Sequence, residues 1–561
     1  MTTTAHNSAV RRSSRPFFTG LAVVVLSLVA VGAGGFWYLT ASGPLTLLAG
    51  GDRPIAAATV FVPAQSPLTI SLLTRPERIV AFEQAVVDPD QRRQARREID
   101  QLKQSLFDNT QIDYDRDIRP WIGNEITFAL TDRDLEADRA GQQPGYLTLL
   151  EIAPERQRQA REFLQLFWQR QSLVSGPLRS ERASGVRLLY ADGPSPAVAS
   201  ALVGSQFVIF ANDIRVLRRS VQVAQTAANL AQNRAYRETV DQLPPERIGL
   251  AYVDTVIARD IGRSVTQEVA DTAPSQFAAI NFSITTSGLV AKARLTEPVE
   301  PGGEGRALSE PVEALAFLPA DTTLAVVSTD LGQLAPSLAD AGLPSSLLPD
   351  FLRLTPATDQ ATATASLWDW ATTDYALGQV TSGKQTDWIL AVLRDTEGIA
   401  HLDEAANDQG YSAVPVAIGE QTAIAWTRFK ARSRHKVSDS LEAEVLGLHL
   451  QQDSYEIFAS SVAAMEAALS APQRSLLDAS RFTEAIAPLA PINSGYFYAD
   501  LMTILQQPTA TVQALPLLTL VESAARPLVR HIDTLVATRS GATADLSIQL
   551  RQARSDQHLQ P

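Results

Sequence analysis

Apolar positions alternate with polar ones in short runs along the chain and recur at helical spacing in a few longer ones. LTISLLT, EITFALT, YLTLLEI, VRLLYA, SQFVIFA and RIGLAYVD have strand length with β-branched or aromatic content. Residues 155–171 and 213–231 carry helical spacing. In 90–107, Ala95, Ile99, Leu102 and Leu106 form one apolar stripe, leaving Arg92, Arg93, Arg96 and Arg97 on a solvated face or against anionic lipid headgroups. Close-set strand pairs predict hairpins with helices between them, and hence mostly antiparallel α+β domains.

The pattern occurs twice. QLPPERIGLAYVDT (242–255) returns as PLAPINSGYFYADL (488–501), with Leu243, Pro245, Gly249, Tyr252 and Asp254 falling on Leu489, Pro491, Gly495, Tyr498 and Asp500. VFVPAQSPLTIS pairs with AFLPADTTLAVV, YLTLLEIAPERQRQA with WILAVLRDTEGIAHL, QFVIFANDIRVL with SYEIFASSVAAM, and INFSITTSGLVAKARL with IDTLVATRSGATADLSIQL. These matches keep one order and a nearly constant offset, which indicates an internal duplication. The seam falls where TEPVEPGGEGRALSEPVE has the composition of an exposed linker. The expected organisation is a cytoplasmic tail 1–16, a transmembrane helix 17–41, a linker 42–54, a first α+β repeat 55–295, a linker 296–313, a second α+β repeat 314–552 and a tail 553–561.

The segment 17–41 is uncharged for 25 residues, long enough as a helix to cross a bilayer. Arg11, Arg12 and Arg15 precede it, the next Lys or Arg is Arg53, and Trp37 and Tyr38 stand at its far end. The positive-inside rule then leaves residues 1–16 in the cytoplasm and the body across the membrane, in a periplasm or thylakoid lumen. An uncleaved anchor fits better than a signal peptide, whose apolar region is shorter; the pair Arg11-Arg12 fits a twin-arginine signal poorly.

Composition narrows the function classes. A chain of 561 residues exceeds what one core sustains. A net charge of -13 argues against nucleic acid. With no cysteine, thiol nucleophiles, cysteine-based zinc sites, disulfides and a lipid-modified cysteine are excluded.

The run DYDRDIRPWIGNEITFAL (113–130) combines Asp117, Pro120, Trp121 and Gly123 in a D-x-x-P-W-x-G pattern before a strand. Together with the anchor and the duplicated body, it resembles the family known as domain of unknown function 3352, common in cyanobacteria. The second copy departs from it, having WDWATTDYALGQV (368–380). The resemblance implies architecture and a cyanobacterial source, and brings no activity with it. From the residues themselves, Pro120 ends the incoming helix, Trp121 packs into the core, Gly123 turns the chain into the strand and the aspartates solvate the bend.

Three motifs could carry chemistry. GQVTSGKQ (378–385) has phosphate-loop spacing, but Gln385 replaces the required Ser or Thr and strands flank both sides, so a hairpin turn is expected. Asp113, Asp115 and Asp117 resemble the first ligands of a calcium loop, but Ile118 stands where glycine is needed and Asn124 where the bidentate carboxylate belongs. His6, His401, His435, His449, His531 and His558 show no metal spacing and are expected as isolated surface residues, and no G-x-S-x-G elbow exists. A triad of residues distant in sequence stays open.

No catalytic, cofactor-binding or metal residue is assigned, and no cofactor is expected. The expectation is a membrane-anchored, non-enzymatic scaffold or binding protein with a protein or apolar-ligand partner. Carriage of a lipid or pigment and a hydrolase with a hidden site are the alternatives.

Overall fold

A computed structural model describes residues 55–74, 114–135, 144–191, 198–255, 276–284, 288–296, 307–336, 348–355, 366–382, 385–434, 438–506, 532–540 and 543–550. The expected tail 1–16, helix 17–41, linker 42–54, helical stripe 90–107 and C-terminal tail lie outside these residues, as does most of the linker 296–313.

The chain divides into two compact units, one whose main stretch ends at Glu297 and one comprising Pro298–Pro516 and Asp533–Ser547. The N-terminal unit runs β1 (Leu68–Leu72), β2 (Ile122–Asp132), β3 (Gly145–Ile152), α1 (Gln157–Ser175), β4 (Leu178–Ala183), β5 (Val186–Ala191), β6 (Ala199–Val203), β7 (Phe207–Ala211), α2 (Ile214–Val223), α3 (Arg234–Asp241), β8 (Gly249–Asp254), β9 (Phe277–Ile284) and β10 (Gly288–Leu295). The C-terminal unit runs β11 (Leu324–Thr329), β12 (Asp374–Ser382), β13 (Gln385–Leu393), α4 (Thr396–Asp408), β14 (Ser412–Ile418), β15 (Gln421–Arg434), β16 (Ser438–Gln452), β17 (Tyr455–Ala459), α5 (Val462–Ser470), α6 (Ser480–Ile486), β18 (Gly495–Asp500), α7 (Leu501–Gln506), β19 (Ile532–Ser540) and β20 (Thr543–Leu550).

Both units pair their strands alike. Hydrogen bonding gives the order β10-β9-β8-β1-β2-β3-β7-β6-β5-β4 in one and β20-β19-β18-β11-β12-β13-β17-β16-β15-β14 in the other. Each of the five repeated sequence segments falls on the same pair of elements in both units.

The alternation predicted for the strands sorts residues onto two covered faces. In the C-terminal unit Ala325, Val327, Ile389, Ala391, Ile457 and Tyr498 join a core with Met465 of α5 and Phe482 of α6. Their neighbours Leu324, Val326, Leu390, Val392 and Phe458 join another with Leu402 of α4. The inner strands are therefore covered on both sides, and β8 and β17 are buried at every position. A 3-10 turn enters each unit ahead of its first strand, at Ala57–Phe61 and Glu313–Phe317.

The expected fold class, α+β behind a transmembrane helix, is thereby corrected. The described residues are dominated by antiparallel β-sheet, and helices serve as short covers. Neighbouring strands pair antiparallel, some as hairpins such as β4–β5 and β14–β15, so backbone hydrogen bonding is satisfied mostly within the sheet, and among the described residues only α1 exceeds thirteen residues. Among the described residues no helix is long and apolar enough to cross a membrane.

The repeated glycine has a steric cause in the second copy. Gly495 opens β18 with φ +128°, where a Cβ would lie 2.0 Å from the Val327 carbonyl oxygen of β11. At Gly249, which opens β8, the nearest atom would be the Ser71 carbonyl oxygen at 3.4 Å. Gly495→Ala should therefore cost at least about 2 kcal/mol more than Gly249→Ala, measured by denaturant unfolding.

Candidate functional site

The Pro-Trp motif closes a buried joint. Trp121, 1% exposed, follows a π-turn at Tyr114–Ile118. Its indole Nε1 donates to the Asp117 carbonyl oxygen at 2.6 Å, and its ring stacks on Phe163 of α1 at 5.4 Å. Phe163 and Phe167 of α1 extend the cluster to Phe210 through tilted and edge-on contacts. Trp121 thus packs under a helix, but under α1, which follows it in sequence.

Asp117 is buried rather than solvating a bend. Its carboxylate accepts from Arg116 at 2.9 Å and from Arg170 of α1 at 3.3 Å. Gly123 is needed for a close approach: a Cβ there would lie 2.9 Å from Cγ of Glu151, whose carboxylate accepts the Asn124 amide at 2.9 Å. Asp113 lies outside the described residues, as does the side chain of Asp115. Among the described residues no group of His, Asp and Glu is placed to hold a metal ion.

GQVTSGKQ forms the β12–β13 hairpin, with Ser382 opposite Gln385. A strand rather than a helix follows it, and Gly378–Ser382 and Gln385 belong to the β12–β13 ladder.

His449 overturns the expectation of isolated surface histidines. It is buried on β16, with Nδ1 2.7 Å from Glu456 Oε1 of β17 and Nε2 3.2 Å from Asp403 Oδ1 of α4. The Trp426 indole donates to the same Asp403 oxygen at 2.7 Å, and Phe458 stacks on the imidazole at 5.5 Å. Arg394 Nε stands 3.2 Å from the other oxygen of Glu456. Burial disfavours the imidazolium, but the hydrogen bonds to Asp403 and Glu456 outweigh it and raise the His449 pKa to about 9. Burial alone would raise the Asp403 pKa, but the bonds from His449 and Trp426 leave it lowered.

Both imidazole nitrogens face carboxylates, so neither is open to serve as a general base for a neighbouring nucleophile. The cluster acts as a clasp between α4 and the sheet. In the N-terminal unit the position opposite Phe210, equivalent to Phe458, is Ser200 on β6, and the α1 indole of Trp168 donates to its hydroxyl at 2.8 Å. One register position thus holds a helix to its sheet in both units, by different chemistry. Of the other histidines, His401 is exposed on α4, whereas His6, His435, His531 and His558 lie outside the described residues.

Two more buried carboxylates are paired with arginines. Asp254 accepts from Arg133 at 3.0 Å, and Arg481 bridges Asp500 at 2.6 Å and Asp533 at 2.8 Å. Burial raises the pKa of Glu125 against the bonds it accepts from the Ala58 and Ala57 amides, through which it caps the first 3-10 turn. Arg247 differs: its Nη2 donates to the Pro244 carbonyl at 2.7 Å, while Nε and Nη1 are buried without partners. Nothing in the structure explains those two unpartnered nitrogens.

Two outcomes follow. Trp121→Ala should cost about 3 to 5 kcal/mol by denaturant unfolding, the range for a buried aromatic, and Asp117→Asn about 1 kcal/mol, since its arginines are partly solvated. The His449 clasp stabilises fully below the unfolded-state pKa near 6.5, and that contribution, on the order of 3 kcal/mol, fades as pH rises through about 9. Wild type should therefore lose stability between pH 7 and 10 more steeply than His449→Gln, measured by unfolding free energy against pH.

Comparison with curated proteins and with solved structures yields no match. The family model described as "Protein of unknown function (DUF3352)" matches residues 21–551, which include both repeats and the Pro-Trp joint, and the chain belongs to that family.

Proposed function

We propose that the chain is a non-enzymatic binding or scaffold protein whose body works on the far side of a membrane. The charge asymmetry around residues 17–41 supports that placement. The observation that carries the binding role is a large departure of one repeat from the other. β5 and β6 have six and five residues, whereas β15 and β16 at the same places have 14 and 15.

β14 pairs with β15 only as far as Thr427, and β17 with β16 only as far as Leu448. Beyond these points the hairpin continues as a two-stranded arm, on which Phe429 is 74% exposed and Val445 44%. Apolar side chains exposed on a sheet extension support a role in binding.

A photo-crosslinking residue placed at Phe429 in the full-length protein, in its native membranes, should give an adduct. The same residue at Tyr190, on β5 of the equivalent short hairpin β5–β6, should give none. Equal labelling at both positions, or none at either, would count against the arm as a binding element.

A further inference from the structure

Arg247 stands just before β8 and is 2% exposed, although the preceding Pro245 and Glu246 face water. Its Nη2 donates to the Pro244 carbonyl oxygen, and Nδ2 of Asn281 on β9 donates to the same oxygen at 3.1 Å. The two buried head groups therefore meet at one atom. Around it Nε and Nη1 of Arg247 and Oδ1 of Asn281 are buried without partners. Burial pulls the Arg247 pKa down from the ordinary arginine value, against opposing pulls from Tyr236, Asp241 and Glu246. Both acids are exposed, and the guanidinium stays charged, so a buried cation is matched by carbonyl groups alone.

The C-terminal unit shows the same corner closed. In the repeat, Pro244, Arg247 and Leu250 fall on Ala490, Asn493 and Tyr496, and the registers pair Leu250 with Asn281 and Tyr496 with Thr538. Asn493 Nδ2 donates to the Ala490 carbonyl at 3.0 Å and to the Tyr496 hydroxyl at 2.9 Å, and its Oδ1 accepts the Gly495 amide at 2.9 Å. The Thr538 hydroxyl donates to the Gly495 carbonyl at 2.6 Å. Exchange of Asn, Tyr and Thr for Arg, Leu and Asn opens two donors and one acceptor and brings in a charge. A water molecule would satisfy the hydrogen bonds and leave that charge unmatched.

We propose that this corner of the N-terminal unit, independently of the arm, binds a small oxyanion that carries a hydroxyl, the chemistry of hydrogen phosphate and bicarbonate. The anion's oxygens accept from Nε and Nη1 of Arg247, and its hydroxyl donates to Oδ1 of Asn281. Sulfate has no hydroxyl at neutral pH, so it meets the arginine equally well but sets an oxygen against that of Asn281.

Isothermal titration calorimetry on the full-length protein in chloride buffer, with phosphate, bicarbonate and sulfate in turn, tests this. Saturable binding of phosphate or bicarbonate at one site per chain is expected, with sulfate about a hundredfold weaker or more. Arg247→Met should weaken binding by about a hundredfold, the effect of two charge-assisted hydrogen bonds. The triple variant Arg247→Asn, Leu250→Tyr, Asn281→Thr rebuilds the closed set of the other unit and keeps the test open if Arg247→Met fails to fold. It should bind none of the anions and unfold at higher denaturant than ligand-free wild type.

A wild type that binds neither phosphate nor bicarbonate, or a triple variant that binds them as wild type does, would overturn the proposal. Sulfate bound as tightly as the other two would overturn the part given to Asn281.

Discussion

Burial of the inner strands on both faces is the constraint from which the rest of each unit follows. Every position of β8 is buried, and β11 is buried at all but Ser328. Such strands cannot leave one face to water, so each unit needs helices on both sides of its sheet. The close approach of β18 to β11 at Gly495 and the seating of Tyr236 and Phe482 against Tyr252 and Tyr498, at 5.0 and 5.4 Å, are local consequences. Transfer of apolar surface from water drives the packing.

Polar groups caught inside this arrangement hold the covers in place. Trp168 on Ser200 and Asp403 on His449 tie a helix to the same register position, and Asp117 with Arg170 ties α1 to the Pro-Trp joint. Buried polar contacts of this kind are costly to leave half-made, so each helix is held where its partner lies. Their divergence between units shows what the frame requires: a tie at that place, and not a particular residue type.

The duplication, the strands and the hairpin at GQVTSGKQ were legible in the sequence, because period-two alternation and turn residues are local signals. The balance of helix and sheet was not. Helical spacing at 155–171 and 213–231 reads as strongly as the strands do, although the helices it marks only cover a sheet. His449 was missed because its partners come from α4, 46 residues away, and from across a hairpin. The spacing H-x-x-x-x-x-x-E around the Asp453-Ser454 turn was the signal available, since Gln452 opposite Tyr455 puts His449 and Glu456 on one face. The departure of β15 and β16 from their shorter equivalents was equally readable once the repeats were aligned.

Hydrogen–deuterium exchange on the full-length protein tests the central claim, that two equivalent double-covered frames carry one projecting arm, most directly. The account predicts that amides of β8 and β18 exchange slowest and to a similar extent, while those of 428–434 and 438–446 exchange faster than any other strand pair. Protection of the arm comparable to that of β8 and β18, or fast exchange in one of those two strands alone, would contradict it.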